Sequence, residues 1–211
     1  MRNYILFFIL LFTSVISSSQ VHEIGISFGG TNFIGDIGRT TYIYPTKPGV
    51  GLFYKFNYNP RIAIRGTLSH LQIRANDAHS KEEYRQVKNK SFTNTINEIA
   101  AGIEFNFYNY KILSDSKKRS PYLLLELAAY TYEANHTIAR SFAIPFGFGY
   151  KSRLFKNINF SLETKFRNSL QNNLETNQNR RVKNNENDWY AVTSFSLIYT
   201  FGRLPCYQNG F

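Results

Sequence analysis

Strict alternation of apolar with polar or small residues recurs eight times along this chain. A two-residue period places successive side chains on opposite faces of an extended strand. Segment 98–107 is the clearest: Ile99, Ala101, Ile103, Phe105 and Phe107 alternate with Glu98, Ala100, Gly102, Glu104 and Asn106. Segments 23–30, 49–58, 61–73, 122–132, 142–151, 158–167 and 189–201 repeat the pattern. No stretch shows the i, i+3, i+4, i+7 spacing of an amphipathic helix. Asn59-Pro60 supplies a turn between the second and third segments, because Pro60 cannot donate to a ladder. The expectation is an all-β chain of eight antiparallel strands.

Alternation alone does not say which solvent meets the apolar face, since a soluble sandwich shows the same period. The opposite face is more informative. It carries Lys55, Arg65, Glu98, Glu104, Glu126, Lys151, Glu163, Lys165 and Arg167 among glycine, alanine and serine. Four acids against five bases suit a narrow lumen crossed by ion pairs, because isolated charges in a filled interior are costly. Each segment approaches the roughly 9–11 tilted residues that a transmembrane strand needs. Aromatics gather near strand ends, at Tyr58, Phe107, Tyr108, Tyr110, Tyr122, Tyr150, Trp189, Tyr190 and Tyr199, as an interfacial girdle requires. These features favour an eight-stranded up-and-down transmembrane β-barrel over a secreted or periplasmic sandwich. Phe53, Tyr130 and Tyr190 on the inner face are expected to block its lumen, which eight strands leave just wide enough for side chains.

The first nineteen residues read as a cleaved secretory signal. Arg2 precedes the apolar run from Tyr4 to Phe12, and Ser17 and Ser19 form a small-x-small cleavage site. That run is too short to anchor comfortably. The organisation read here is signal 1–19, barrel 20–201 and a periplasmic tail 202–211. A formal charge of +11 over 211 residues would otherwise point to nucleic acid, but export argues against that partner. The single cysteine, Cys206, excludes an internal disulfide and a cysteine-built metal site. The four histidines, His22, His70, His79 and His136, lack ligand spacing, and neither metal nor cofactor is expected. Gly25-x-x-x-Gly29-Gly30 precedes a loop rather than a helix, so it is no nucleotide fingerprint.

Connections 31–48, 74–95 and 168–188 are long and polar, whereas 59–60 and 152–157 are short. Barrels of this kind put long loops outside and short turns in the periplasm, which sets the N-terminus of the barrel on the periplasmic side. Connection 109–120 is long for a periplasmic turn. On that side the charge is of one sign: Lys111, Lys117, Lys118, Arg119, Arg153 and Lys156 stand with Arg61 and Arg203 against Asp115, with Glu23 at the membrane edge. Attraction to anionic lipid head groups accounts for such a rim. Docking onto an acidic protein patch accounts for it equally.

Several short motifs resemble one family. Glu23-Ile24-Gly25, the stretch Gly29-Gly30-Thr31-Asn32-Phe33-Ile34-Gly35-Asp36-Ile37-Gly38 and Gly51-Leu52-Phe53-Tyr54 look like the start of PorG-like barrels. Asn89-Lys90-Ser91-Phe92, Glu98-Ile99, Glu104-Phe105-Asn106-Phe107, Pro145-Phe146-Gly147, Asp188-Trp189-Tyr190 and Tyr199-Thr200-Phe201 continue the likeness. The stretch 168–187 departs from it, being asparagine-rich rather than acidic. The resemblance implies a non-enzymatic outer-membrane barrel of the type IX secretion system, contacting a periplasmic ring of PorK-like and PorN-like proteins. An OmpX-like barrel serving envelope integrity or surface adhesion is the alternative. An enzyme would need a serine, a histidine and a carboxylate converging near the membrane rim. Ser69 and His70 are the one pair to test, and no catalytic residue is assigned.

Overall fold

The computed structural model describes residues 21–34, 45–77, 91–110, 119–134, 137–155, 157–169 and 189–202. They form eight strands: β1 (Val21–Ile34), β2 (Lys47–Asn57), β3 (Ile62–Asn76), β4 (Ser91–Asn106), β5 (Arg119–Ala134), β6 (Thr137–Arg153), β7 (Ile158–Ser169) and β8 (Trp189–Gly202). Each strand pairs antiparallel with the next, and β8 closes onto β1, so the sheet is a barrel without edges. The expected signal segment and residues 203–211, Cys206 among them, lie outside the described residues.

Tracing paired residues once round the ring gives the stagger. Val21 pairs with Asn57, then Ala63, Glu104, Leu124, Gly147, Lys165, Val192 and finally Thr31. The path returns to β1 ten residues further on (31 − 21). That shear tilts the strands, typically by about 35–45°. One interruption has a plain cause. Between β5 and β6 the pairing steps from Leu125–Phe146 to Ala128–Ala143, around Pro145, which has no N–H to give.

Side chains sort by face as the period dictates. Ile24, Leu52, Ile64, Ile99, Leu127 and Phe148 are exposed on the outside, whereas Lys55, Arg65, Glu104 and Glu163 are buried inside. This is the inverse of a water-soluble protein and the pattern of a barrel wall facing lipid.

The strands outrun the segments read from sequence. Residues 74–76 and 91–95, expected in a loop, are paired strand, from Arg74–Thr93 to Asn76–Ser91. Likewise β5 and β6 pair as far as Ala134–Thr137, leaving a two-residue connection where a longer one was expected. The barrel therefore stands taller on the β3–β6 side.

Above a certain height the alternation changes phase. On β3 the lower outward residues Ile62, Ile64 and Leu68 are apolar, but higher up Leu71, Ile73 and Ala75 turn inward and are buried. Outward positions there become His70, Gln72 and Arg74. On β4 and β5 the change comes at the same level: Ile96, Tyr130 and Tyr132 are buried inside, while Asn97, Thr131 and Glu133 face out. The level is one register row, His70–Asn97–Thr131–Arg140. Below it the outward residues are mostly apolar, and above it Gln72, Arg74, Thr93, Thr95 and Glu133 are polar, with Ile138 the exposed exception.

Candidate functional site

The inner face of the lower barrel places ten charged side chains in one buried space. The bases are Lys55, Arg65, Lys151, Lys165 and Arg167, and the acids are Glu23, Glu98, Glu104, Glu126 and Glu163. Five against five cancel at mid-height, and Asp77 is a further buried acid at the upper end of β3. Glu23 is the acid the sequence reading missed: it was set at the membrane edge, yet it is fully buried, 3.7 Å from Lys55. Its alternation with the apolar Ile24, Ile26 and Phe28 is the available signal.

The contacts connect eight of these charges, with Arg167 and Glu98 paired beside them. Glu104 lies 2.6 Å from Lys55 Nζ and accepts from Lys151 Nζ at 2.6 Å. Arg65 donates to Glu163 at 2.6 Å and approaches Glu104 and Glu126 within 3.7 and 3.8 Å. Lys165 joins Glu126 at 3.1 Å to Glu163 at 3.4 Å. Arg167 Nε donates to Glu98 at 2.9 Å and its Nη2 adds a second bond at 3.0 Å. Neutral donors fill remaining lone pairs: Tyr122 to Glu163 at 2.7 Å, Thr67 to Glu126 at 2.6 Å and Tyr190 to Glu98 at 3.1 Å. Buried charges are tolerated when paired and hydrogen-bonded in this way.

Aromatic rings hold the cations from the side. The Phe53 ring lies 4.1 Å from the Arg65 guanidinium and 5.0 Å from Lys55 Nζ, within cation–π range. Phe53 reaches across because Gly25 opposite has no side chain; a Cβ there would sit 2.3 Å from the ring. Tyr122, read as a girdle residue, is buried inside instead, with the same parity as Glu126, while Tyr190, read both as girdle and as a lumen-blocking ring, is buried inside with the parity of Ser194. Tyr110 is also no girdle residue. The chain after β4 folds back beneath the lumen, Tyr110 N–H bonds to the Pro60 carbonyl at 3.2 Å, and the ring lies 4.6 Å from Lys151 Nζ. Burial pushes the Tyr110 phenol above its ordinary range, with Glu23 adding to the shift and Arg153 opposing it. Tyr110 floors the lower mouth as a neutral ring.

The upper mouth is closed by different chemistry. Phe33, Leu71, Ile73, Ile96, Tyr132 and Val192 belong to one buried apolar cluster that also holds Tyr130 and Tyr190. Phe92 packs on Phe33 edge-on at 4.9 Å. Between floor and plug the lumen is filled by side chains, charged at mid-height and apolar at the top.

No reactive convergence accompanies this network. Ser69 lies on the inward parity and His70 points outward, where its Nδ1 shares a 2.7 Å hydrogen bond with Asn97. Adjacent strand residues face opposite sides of the wall, so this pair cannot act together. The glutamates each contact one or more bases. Among the described residues no group of three His, Cys, Asp or Glu could hold a metal.

Of the basic residues proposed for docking, Arg119 is exposed and Arg153 half-buried at the end where β1 begins and β8 finishes. Arg61 is exposed there too, its Nε bonded to Asn109 at 2.7 Å. Lys111, Lys117, Lys118 and Lys156 fall outside the described residues, on connections 107–118 and 154–157 at that same end. Those connections and 58–61 hold 12, 4 and 4 residues, against 12, 14, 2 and 19 at the opposite end. The short-turn end is thus the periplasmic one by the usual loop asymmetry.

A family model described as "Domain of unknown function (DUF6089)" matches residues 2–210. No curated protein sequence matches the chain. Among solved structures it is similar to the outer membrane protein OprG from Pseudomonas aeruginosa, with a TM-score of 0.51 and 8% identity over 88% of this chain and 97% of that one. Neisserial surface protein A gives 0.48 and 10%, over 87% and 98%. Ail of Yersinia pestis, solved with the heparin analogue sucrose octasulfate, gives 0.47 and 12%, over 87% and 99%. The OprG likeness shows the fold, that of the small antiparallel outer-membrane barrels, and the outer membrane is where such a wall belongs.

Proposed function

This chain belongs to the DUF6089 family, and from that premise and its side-chain-filled lumen we propose that it works through its surfaces. On this reading it is a non-enzymatic outer-membrane component of a type IX protein secretion complex, docking a periplasmic ring of PorK-like and PorN-like proteins. The observation that carries the proposal is where the charge lies. Among the described residues the ten mid-lumen charges cancel (5 − 5) and Asp77 is a further buried acid, whereas the exposed or half-buried charges are six bases, Lys47, Arg61, Arg74, Arg119, Arg140 and Arg153, against Glu133. At the periplasmic rim Arg61 and Arg119 are exposed while Glu23, the nearest described acid, is withdrawn into the interior. A one-signed rim steers an acidic partner. The PorG-like motifs supply the identity of that partner.

The test reverses Lys117, Lys118 and Arg119 to glutamate in the full chain. The variant should still fold, shown by heat-modifiable migration, but should lose PorK-like and PorN-like proteins in a crosslinked pull-down and reduce the secreted proteome. Normal co-purification would remove this rim as the docking site.

One observation favours the OmpX-like reading, envelope integrity or adhesion: the β3–β6 wall rises above the row at His70 and presents Arg74, Glu133 and Arg140 outward. Under that reading gene deletion leaves the secreted proteome unchanged, and binding is lost with loops 74–95 and 168–188.

A further inference from the structure

The lipid-facing wall of β2–β6 is not smooth. Gly66 and Ala101 pair side by side on the outer face, and Ala129 lies one row higher. A Cβ added at Gly66 would meet nothing within 4 Å. Leu52 and Leu68 rise on one side of these small residues, Leu127 and Phe142 on the other, all exposed. The result is an apolar trough. A second hollow shares Leu52, Leu68, Ile99, Ala129 and Phe142 with it and continues upward to His70, Asn97, Thr131 and Arg140. From Gly66 to His70 the trough runs four residues, roughly 13 Å along the strand and about 10 Å along the tilted barrel's axis. That is about two thirds of one leaflet of a hydrocarbon core about 30 Å thick.

The head of the trough is cationic. Arg140 is exposed and faces outward at the row where the wall turns polar, and Arg74 is exposed one row above Gln72 on β3. Glu133 is the acid on this face, diagonal to Arg140. Below them the trough offers hydrocarbon alone.

We propose that this trough seats an acyl chain of an anionic outer-leaflet lipid, with the lipid's phosphate received by Arg140. The apolar floor fits a methylene chain, since van der Waals contact is what selects partners inside a bilayer. The guanidinium at the interface fits a phosphate, which it binds through paired N–H donors. The small floor residues are what a groove needs and a plain lipid-facing wall does not.

The test is native mass spectrometry of the full-length protein in mild detergent, offered bisphosphorylated lipid A or, as control, phosphatidylcholine. The wild type should retain lipid A and release phosphatidylcholine. Arg140→Gln should weaken retention roughly tenfold, the effect of losing one charge-assisted contact. Filling the floor with Gly66→Leu and Ala101→Leu should weaken it similarly while heat-modifiable folding persists. Equal retention by both variants, equal retention of the two lipids, or no retention at all would overturn the proposal. So would a wild-type dimer that becomes monomeric on filling the floor with lipid binding unchanged, because the trough would then seat protein.

Discussion

Arg65 and Glu163 meet at 2.6 Å although they stand on β3 and β7, four strands apart in a ring of eight and therefore on opposite walls. A contact spanning the diameter is a strut between opposite walls. Its surroundings matter as much as its length. Tyr122 and Lys165 complete the carboxylate, and Phe53 and Thr67 complete the guanidinium.

Removing one end of this strut should be worse than removing both. Glu163→Gln leaves Arg65 buried with weakened compensation, a loss of about 3–5 kcal/mol for a fully buried pair. Arg65→Met with Glu163→Met should recover part of it. Urea unfolding of the barrel in liposomes measures both, and additive losses would show that the pair is not coupled.

Glu104 is the most heavily used acid, serving Lys55 and Lys151 at 2.6 Å each. Glu104→Ala strands two buried ammonium groups, so the same unfolding assay should show at least the loss seen for one broken pair, about 3–5 kcal/mol. Unchanged stability and unchanged heat-modifiability would mean that water reaches these lysines freely.

Gly25→Val tests the close approach to Phe53. The added side chain would push the ring off the Arg65 guanidinium, 4.1 Å away. Destabilisation of about 1–3 kcal/mol is expected, the range for overpacking a filled interior. Adding Phe53→Leu to Gly25→Val should rescue it, and failure of that rescue would place the strain elsewhere.

Tyr110 as the floor of the lower mouth predicts controlled access. With Cys206 replaced by serine, a cysteine placed at Asn106, itself buried, should resist a membrane-impermeant thiol reagent applied to the short-turn side. Adding Tyr110→Ala should make it reactive. Labelling at equal rates with and without the Tyr110 ring would leave the mouth open in both.

Orientation is testable from outside. A tag at Asn177 should be reached on intact cells and one between Ser116 and Lys117 should not. The reverse would invert the assignment of the two ends.

Much of this architecture is legible in the sequence because period two survives wherever one solvent lies outside. Segment 98–107 reads correctly for that reason: lipid lies beyond every outward residue from Ile99 to Phe105. The same rule fails just above, at Thr93, Thr95 and Asn97, because the outer solvent becomes water and the apolar residues move inside. A reader following one phase sees the reversal as the end of a strand, and so residues 91–95 passed for loop. Tyr110 illustrates a second limit. A residue in a turn has no parity, and nothing in the local sequence says that the chain folds back beneath the lumen. Glu23 and Tyr122 were readable, since Glu23 alternates with Ile24, Ile26 and Phe28, and Tyr122 shares the parity of Glu126, already assigned inward. The pairings within the ion network were not, because Arg65 and Glu163 are separated by 98 residues and joined only by closure of the ring.

The phase reversal at His70 has a thermal consequence. Above that row the apolar cluster of Phe33, Leu71, Ile73 and Ile96 is hidden from water, and stabilisation of that kind weakens on cooling. Below it the outer wall rests in hydrocarbon, where side chains gain nothing by leaving water. Cold should therefore loosen the crown of the barrel while leaving its trunk intact, and amide exchange near Ile73 and Ile96 should quicken towards freezing relative to that at Ile103.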